Sequence, residues 1–360
     1  MSPAPAEQLS IDGVGVHDPG DAESHRWSST TIRAEGRSFA TTPVFDTYWR
    51  FAARRHAVYE ARLAGRPGPW TDDPILRAHR FTNCYRAADR VSQFLIRQVA
   101  YEGSQNIEDV VFRVLLFKMF NKISTWELLE QHLGTLSVDT FRIADYHQVL
   151  DEAFAAGRRL YSAAYVIPPP RLGGLRKHTN HLRLLQYMLD DGLADKIAQA
   201  PSLQRAFELL RGYPAMGDFL AFQFVIDLNY TTALGFDEMD FVVAGPGARD
   251  GVRKCFGSSS AGHERALIEY MAASQDEHFE RLGLRFGGLF GRRLQLIDCQ
   301  NLFCEVDKYA RVAHPGIAGH SGRTRIKQKF EPVSAAMPAW FPPKWGLRPD
   351  AAVLPDPRSA

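Results

Sequence analysis

The sequence predicts a mainly α-helical protein, and three observations support this fold class. Apolar residues recur at intervals of three and four in most segments between Pro43 and Gly316, almost no segment alternates with period two, and clusters of Gly and Pro separate the periodic segments. The chain has 360 residues, of which 45% are hydrophobic, so it is long enough to bury a substantial core as one domain or two. Its formal net charge of +2 creates no overall field that would select a partner.

Helical periodicity divides the chain into successive elements, with capping residues and breakers at their ends. The predicted helices are Pro43–Leu63, Arg80–Gly103, Phe112–Leu129 with Thr125 as the N-cap of its second part, Val138–Ala156, Thr179–Asp190, Pro201–Leu210, His263–Leu282 and Leu294–Gly316. The segment Tyr161–Ile167 is the best candidate for a short strand, and Gly283–Arg293 is predicted to be a loop.

The two ends of the chain are expected to differ from this helical body. Residues 1–42 are rich in Ser, Pro, Gly, Asp and Glu and are predicted to be largely disordered or loosely draped on the body. Residues 43–316 then form the helical domain, either undivided or as lobes 43–170 and 171–316, and residues 317–360 form an extended basic tail. Basic residues alternate in this tail and would share one side of an extended segment, where they suit phosphates: Arg323, Arg325, Lys327 and Lys329. Trp340, Phe341 and Trp345 predict that the end of the tail docks onto the body.

Missing motifs exclude several classes of function. The sequence has no GxxxxGK[ST] P-loop, no GxSxG nucleophile turn and no HExxH zinc motif. Its four cysteines have no CxxC spacing and no apolar run is long enough for a membrane span, which predicts a cytoplasmic protein with reduced thiols. His178 and His181 lie three apart without further ligands nearby, so a surface pair is expected rather than a metal site. We therefore expect no metal, no cofactor and no obligate protein partner.

Three predicted helices carry polar residues that suit a binding site. In the first, five side chains are spaced three or four apart and would line one helical edge: Asn83, Arg86, Asp89, Arg90 and Gln93. Their amides and guanidinium groups suit a phosphate or a base edge, and the alternative is a solvated face with an Arg–Asp pair within the helix. The second of these helices, Phe112–Leu129, contributes Lys118, Asn121 and Lys122. The third, Leu294–Gly316, contributes Asp298, Gln300, Asn301 and Lys308. Lys308 is either a catalytic amine or a paired, exposed lysine.

The central stretch Leu210–Lys254 contains two Gly/Pro turns, each followed by a predicted helix. The turns are Tyr213–Gly217 and Ala244–Gly247, and the carboxylates of Asp237, Glu238 and Asp240 lie between them. A glycine turn that opens a helix presents unpaired backbone N–H groups and the positive end of the helix dipole, which suits a phosphate. Carboxylates beside such an anchor can supply acid/base or electrostatic catalysis.

Two resemblances refine this interpretation. The turn Tyr213–Gly217 with the following residues resembles the hairpin of the helical DNA glycosylase superfamily, with Ala215 in place of the first glycine. Over about residues 45–312, five motifs resemble the family named for the helical domain of 5-hydroxymethyl-deoxyuridine DNA kinases, which includes the α-glutamyl/putrescinyl-thymine pyrophosphorylases. The motifs are FTNCYRAADRVSQ (81–93), LLFKMFNKISTWE (115–127), YPAMGDFLAFQFVIDLNY (213–230), DFVVAGPGARDG (240–251) and LIDCQNLFCEVDKYAR (296–311). The resemblance implies a helix-hairpin-helix, DNA glycosylase-like helical fold.

The resemblance also implies an activity on double-stranded DNA that carries modified bases. Stand-alone members of this group resemble an anti-phage DNA glycosylase that excises glucosylated 5-hydroxymethylcytosine, so the predicted activity is excision of a bulky hypermodified pyrimidine after base flipping. The first alternative is a transferase that substitutes an amine or amino acid on a 5-pyrophosphoryloxymethyl pyrimidine. The second is a non-catalytic reader of modified DNA.

Site residues follow from the same resemblance. The superfamily spacing implies a catalytic carboxylate about 20 residues after Gly217, which is Asp237 or its neighbour Asp240, with Asp298 as a third candidate. The predicted substrate-binding residues are Asn83, Arg86, Asp89, Arg90, Gln93, Lys118, Asn121, Gln300, Asn301 and Lys308. The predicted contacts to the DNA backbone are Gly217, Gly245, Gly247, Lys254, Arg323, Arg325 and Lys327.

Overall fold

A computed structural model describes residues 29–163, 167–331 and 339–348. Within these residues the chain is mainly α-helical, which confirms the predicted fold class. The helices are α1 (Pro43–Leu63), α2 (Pro74–Ala78), α3 (Arg90–Phe94), α4 (Ile107–Phe120), α5 (Ile123–Leu133), α6 (Ile143–Ala155), α7 (Lys177–Asp190), α8 (Leu193–Ala198), α9 (Leu203–Arg211), α10 (Asp218–Asn229), α11 (Pro246–Phe256), α12 (Glu264–Ala273), α13 (Gln275–Arg281) and α14 (Leu296–Ala313). Short 3-10 helices cover Arg86–Ala88, Ser258–Ser260 and Pro343–Trp345, and a π-helix covers Leu95–Ala100.

Part of the segment predicted to be disordered forms a β-hairpin. Strand β1 (Thr31–Ala34) pairs antiparallel with β2 (Arg37–Ala40), and the turn between them has both central residues at positive φ. Ile32 and Phe39 point inward and are buried. The prediction of disorder is therefore wrong for residues 31–40, and residues 1–28 lie outside the described residues.

Helix α14 is the centre of one half of the molecule and packs against α1, α2, α11 and α12. Its contact with α11 is close because Gly251 has no side chain: a Cβ there would lie 2.1 Å from the carbonyl oxygen of Phe303. Lys254 of α11 and Asp307 of α14 form a buried ion pair at the same contact, with 3.0 Å between Nζ and Oδ1. The glycine and the ion pair thus fix how these two helices meet.

Helix α4 is the centre of the other half. Every residue from Val110 to Phe120 is buried, and the neighbours of α4 are α5, α7, α8 and α10. Side chains from both halves belong to one continuous hydrophobic cluster, which extends from Ile32 to Phe341. Residues 43–170 and 171–316 therefore share a core.

Several predicted elements need correction. Arg80–Gly103 is not one helix, because the chain is irregular from 80 to 85 and then forms the short 3-10, α3 and π segments. The N-cap of α5 is Lys122, and Thr125 lies within α5, where its hydroxyl donates to the carbonyl of Leu160 at 2.7 Å. The described residues among 161–167 form no strand. His263–Leu282 is divided at Ser274 into α12 and α13.

The predicted docking of the C-terminal aromatic residues is confirmed. The backbone N–H of Trp340 donates to Oε1 of Gln93 at 2.8 Å, and Phe341 is buried. Trp345 packs edge-on against Tyr230, with 5.4 Å between ring centroids. Residues 339–348, which we call the C-terminal cover, therefore close one side of the molecule.

Candidate functional site: a helix hairpin and a buried cluster of charges

Helices α9 and α10 are joined by a short hairpin that leaves the first amides of α10 at the surface. Gly217 is the N-cap of α10 and is exposed, and Ala215 in the turn has φ 64°. Among the described residues, no side chain caps this helix start. A cavity of about 530 Å³ lies beside it, lined by Pro168, Tyr213 and residues 215–220. The hairpin therefore offers backbone N–H groups and a positive dipole end to an anion.

The second glycine turn lies against the first. Gly245 is the N-cap of α11, but it is buried: a Cβ there would lie 2.6 Å from the ring of Phe219 and 3.2 Å from Nε2 of Gln300. A Cβ at Gly247 would lie 3.1 Å from the sulfur of Cys304. These two glycines therefore serve close packing between α10, α11 and α14, and only Gly217 of the predicted glycine anchors lies open.

A cluster of buried charges lies along α10. The guanidinium group of Arg86 binds Asp227 through two hydrogen bonds, at 2.5 Å and 2.8 Å, and its Nε donates to Oε1 of Gln223 at 2.9 Å. Nζ of Lys118 lies 2.8 Å from the same Asp227 carboxylate and 3.3 Å from Oδ1 of Asn121. Burial alone would raise the pKa of Asp227, but the two cations outweigh it and hold the pKa below its ordinary value.

The irregular segment 80–89 brings this cluster to the start of α14. The backbone N–H of Arg86 donates to Oδ1 of Asp298 at 2.8 Å, and the N–H of Gln295 donates to Oδ2 at 3.1 Å. Earlier in the segment, the N–H of Asn83 donates to Asp89 at 2.8 Å, and Nδ2 of Asn301 donates to the carbonyl of Asn83 at 3.1 Å. Asn83 and Arg86 are therefore positioned by hydrogen bonds to side chains of α14 and not by an α-helix of their own.

Three carboxyl groups in this region have raised pKa values. Burial raises the pKa of Asp89 to about 7, although the N–H of Asn83 favours its charged form. Burial raises the pKa of Asp298 to about 6, although the two backbone N–H groups favour its charged form. Burial also raises the pKa of Glu238 to about 7, against the attraction of Arg292, whose Nη2 lies 2.8 Å from Oε1. The negative charge of Asp298 adds to the shift at Glu238, so the two groups interact. All three carboxyls therefore titrate near neutral pH, as acid and base groups in active sites do.

The C-terminal cover lies over these groups. Nζ of Lys344 donates to three backbone carbonyls at the end of α10, those of Asn229, Thr231 and Leu234, at 2.5 to 2.8 Å. Burial lowers the pKa of Lys344 to about 8. The guanidinium group of Arg292 lies 4.2 Å from the ring centroid of Trp345. The C-terminal cover therefore lies next to Arg292, the ion-pair partner of Glu238.

The structure buries most of the predicted substrate-binding residues and separates the predicted catalytic ones. The buried or half-buried residues are Asn83, Arg86, Asp89, Gln93, Lys118, Asn121, Gln300 and Asn301. Of these, Arg86 contacts Asp298 directly, and Lys118 and Asn121 contact each other. Arg90 is exposed, and Lys308 is half-buried and paired with Glu305 at 2.6 Å. Asp237 and Asp240 lie in an exposed turn, where the Asp237 carboxylate accepts the N–H of Met239 at 2.9 Å. Glu238 is the carboxyl of this turn that points inward.

The predicted contacts to the DNA backbone also divide into two groups. Lys254 is 1% exposed and paired with Asp307, so the expected phosphate contact does not fit its position. Arg323, Arg325, Lys327 and Lys329 are exposed on a segment that is neither helix nor strand. This segment is held to the body because the N–H of Arg80 donates to the carbonyl of Gln328 at 3.1 Å and that of Phe330 to the carbonyl of Ala78 at 3.1 Å.

One group of side chains has the composition of a metal site. His147, Asp151 and His178 offer ligand atoms within 4.8 Å of one another. In this structure Asp151 instead accepts a hydrogen bond from Nε2 of His178 at 2.7 Å and lies 3.3 Å from Nε of Arg176. The expectation of a surface histidine pair is wrong, since His178 and His181 are both buried and His181 is hydrogen-bonded to Tyr161.

Comparison with known proteins identifies the family. The model of the helical domain of 5-hmdU DNA kinases matches residues 42–319. The chain belongs to this family. The 5-hmdU DNA kinase of Bacillus phage SP10 is 25% identical over an alignment of 289 residues, and the match covers 74% of this chain and 45% of the phage protein. The chain thus spans about half the length of this relative. No solved structure matches the chain. The family predicted from five motifs is confirmed.

In the described part of the chain, no helix combines the length and apolarity needed to cross a bilayer.

Sequence analysis missed several residues of the charged cluster of this family member. Gln223 and Asp227 are the polar residues within the apolar run of α10, and a carboxylate in such a run requires a buried partner. That signal was available and would have paired Asp227 with a nearby cation. Glu238, Arg292 and Lys344 do not lie within apolar runs, so the sequence gives no sign that they are buried. Their burial depends on the tertiary packing of segments outside the α-helices.

Proposed function

We propose that this protein processes a modified pyrimidine in DNA and that the reaction is hydrolysis of the N-glycosidic bond. The observation that carries the proposal is the pair of buried carboxyls, Asp298 and Glu238, whose pKa values are raised to about 6 and about 7 beside Arg86 and Arg292. Two interacting buried carboxyls whose pKa values lie near neutral pH are suited to exchange protons as a base and an acid. Family membership supports a modified pyrimidine as the substrate.

The two carboxyls have different roles in this reaction. Asp298 is mainly ionised at pH 7, so it stabilises the positive charge that develops on the sugar and accepts a proton from the attacking water. The raised pKa of Glu238 allows this carboxyl to hold a proton near neutral pH, and it donates that proton to the departing base. The C1′–N bond breaks, the water oxygen bonds to C1′, and both protons are accounted for.

DNA is held outside this site by backbone amides and by cations. The exposed amides at Gly217 bind a phosphate, and the basic residues from Arg323 to Lys329 bind others. The target nucleotide leaves the stack at a cost of a few kcal/mol and enters the region of Arg86 and Tyr230 once the C-terminal cover moves. The guanidinium group of Arg86 lies 5.6 Å from the ring centroid of Tyr230, which gives the base an aromatic and a cationic neighbour.

The transferase is the second candidate, and family membership favours it. The phage relative is named for a reaction on 5-hmdU in DNA, and a related modification would leave the glycosidic bond intact. Arg86, Lys118 and Arg292 would then neutralise a departing pyrophosphate. A reader of modified DNA would perform neither reaction.

One incubation separates these activities. The purified chain is mixed with duplex DNA that contains 5-hydroxymethyluracil, glucosylated 5-hydroxymethylcytosine or 5-pyrophosphoryloxymethyluracil, with and without added amines. The third DNA is needed because an amine can replace the group on the methylene carbon only if pyrophosphate leaves. We expect free modified base and abasic sites, measured by mass spectrometry. An intact nucleoside with an added amine would support the transferase instead, and retention of unchanged DNA would support the reader.

Variants then test the carboxyl pair. We expect Asp298→Asn and Glu238→Gln each to slow base release about a hundredfold or more, because each removes one proton-transfer group. Asp237→Asn and Asp240→Asn are matched controls in the exposed turn and should retain activity. If the controls abolish base release while Asp298→Asn and Glu238→Gln retain it, the chemistry belongs to the exposed turn and the assignment to the buried pair fails.

A further inference from the structure

A second cavity, which the proposed reaction does not use, lies between α1, α2 and the basic segment. Its volume is about 480 Å³, within the range of small-ligand sites. The lining residues are Arg55, Val58, Arg62, Gly68, Pro69, Trp70, Thr71, Leu76, Arg77, His79, Phe81 and Phe330. This lining contains three arginines, three aromatic rings and no carboxylate. Its composition favours a ligand that is both aromatic and anionic.

The aromatic wall is formed by side chains from distant parts of the chain. Trp70 and Phe330 meet edge to face, with 6.4 Å between centroids and 86° between their planes. The indole N–H of Trp70 donates to the carbonyl of Arg66 at 2.7 Å, which fixes the ring. The guanidinium group of Arg62 lies 5.0 Å from the centroid of Trp70. Arg62 therefore covers one face of the Trp70 ring and adds a cation to this wall of the cavity.

The floor of the cavity has hydrogen-bonding capacity that the protein does not use. Arg55 is 9% exposed; its Nη2 donates to Oδ1 of Asn83 at 2.5 Å. Its Nη1 and the Nδ1 of His79 are buried and have no hydrogen-bond partner among the described residues. A buried polar group without a partner is unfavourable, so a ligand atom that pairs with it gains affinity. Burial also lowers the pKa of Arg55, as expected for a desolvated cation.

The basic segment leads directly to this cavity. Phe330 follows Lys329, and hydrogen bonds between residues 78–80 and 328–330 hold the segment at the rim. Arg77, in the last turn of α2, is exposed and adds a cation at the same rim. A nucleic-acid strand that follows the basic side chains would thus pass the cavity opening.

We propose that this cavity is a nucleotide-binding site, with the base against Trp70 and Phe330, polar base atoms facing Arg55 and His79, and a phosphate at Arg77. The site is separate from the carboxyl pair and does not rest on the proposed glycosylase activity. The nucleotide comes either from an unpaired position of DNA or from solution, and the chemistry of recognition is the same in both cases.

The test measures binding by isothermal titration calorimetry with the full chain. Thymidine 5′-monophosphate, thymidine, and a DNA duplex with one unpaired thymidine are the probes. We expect the monophosphate to bind about tenfold more tightly than the nucleoside, since only it reaches the cation at the rim. Competition by the duplex assigns the nucleotide to DNA, and monophosphate binding without competition assigns it to solution. Both outcomes support the site.

Two variants and one control complete the test. Trp70→Ala and Arg77→Glu should each weaken binding of the monophosphate about tenfold or more, because they remove the stacking surface and reverse the charge at the rim. Arg265→Glu makes the same charge change on α12, outside the cavity, and should stay within about twofold. Arg77 is exposed, so its replacement leaves the core intact and thermal unfolding will verify this. The absence of saturable binding by the wild type, or equal binding by both variants and wild type, overturns the proposal.

Discussion

At the scale of single residues, the ionisation of Glu238 makes the stability of the fold depend on pH. Its pKa rises from an ordinary 4.5 to about 7 in the folded protein, and burial is the main cause. The folded state therefore holds this proton more tightly than the unfolded state does. The stabilisation is fully present below pH 4.5 and is lost as the pH rises through 7. A buried carboxyl of this kind makes the fold less stable in alkaline solution.

Replacement of this carboxyl should reverse that loss. We expect the unfolding free energy of Glu238→Gln, relative to wild type, to increase by about 3 kcal/mol between pH 4.5 and pH 8, from about 1.4 kcal/mol per pKa unit. Urea unfolding at several pH values measures this difference. Asp237→Asn removes one negative charge from the surface of the same turn and reports the effect of net charge alone. A difference that does not change with pH would mean that Glu238 is not desolvated as the structure indicates.

At the scale of elements, the contact between α11 and α14 is the closest of the glycine contacts in the described residues. The backbone of Gly251 lies so close to Phe303 that a Cβ would stand 2.1 Å from its carbonyl oxygen and 2.7 Å from its carbonyl carbon. Neither atom can rotate away, because both belong to the α14 backbone. A larger residue must push the two helices apart and disturb the buried pair of Lys254 and Asp307.

We therefore expect Gly251→Ala to reduce the unfolding free energy by about 2–4 kcal/mol. Gly235→Ala is the matched control, since a Cβ at Gly235 meets nothing within 4 Å. Its effect should stay within about 0.5 kcal/mol. Urea denaturation of the two variants gives both values. A Gly251→Ala protein as stable as wild type would show that the helices can separate at little cost.

Elements also show how far the sequence predicts this fold. Helix α1 begins and ends where its aromatic periodicity and its breakers indicate, at Pro43 and Leu63, because local patterns determine it. The segment 80–103 does not follow its apparent helical spacing, because the hydrogen bonds that hold it come from α14 and α10, far away in sequence. The strands β1 and β2 were missed because each has four residues and few inward side chains.

The candidate site was predicted in part for the same reason. Arg86, Lys118 and Asp298 are polar residues within apolar or patterned segments, and such residues are visible in a sequence. Glu238 was not distinguished from Asp237 and Asp240, because the direction of each side chain depends on a turn that no periodicity describes. Local chemistry thus identified the helices and many site residues, whereas tertiary contacts decided which carboxyls are buried.

At the scale of the whole molecule, the distribution of charge determines how DNA can be held. The net charge of +2 is too small to attract DNA by itself, so any affinity depends on local groups of cations. The segment from Arg323 to Lys329 is such a group, because its four basic side chains are exposed while Ile326 packs inward. The segment is also fixed to residues 78–80 and to Arg311, so its charges keep their places on the surface.

Neutralising this segment should change the salt dependence of DNA binding. Each phosphate contact contributes about 0.9 to the slope of log affinity against log salt concentration, so replacing four cations with Gln should reduce the slope by about 3 to 4. Fluorescence anisotropy with a labelled duplex, from about 50 to 300 mM NaCl, measures the slope. The variant replaces Arg323, Arg325, Lys327 and Lys329. The control, which removes the same charge from other exposed positions, replaces Arg37, Arg142, Lys196 and Arg265. Both variants have the same net charge, so equal salt slopes would mean that DNA does not contact the basic segment. A smaller salt slope for the basic-segment variant alone would place the DNA strand beside Phe330 and the second cavity.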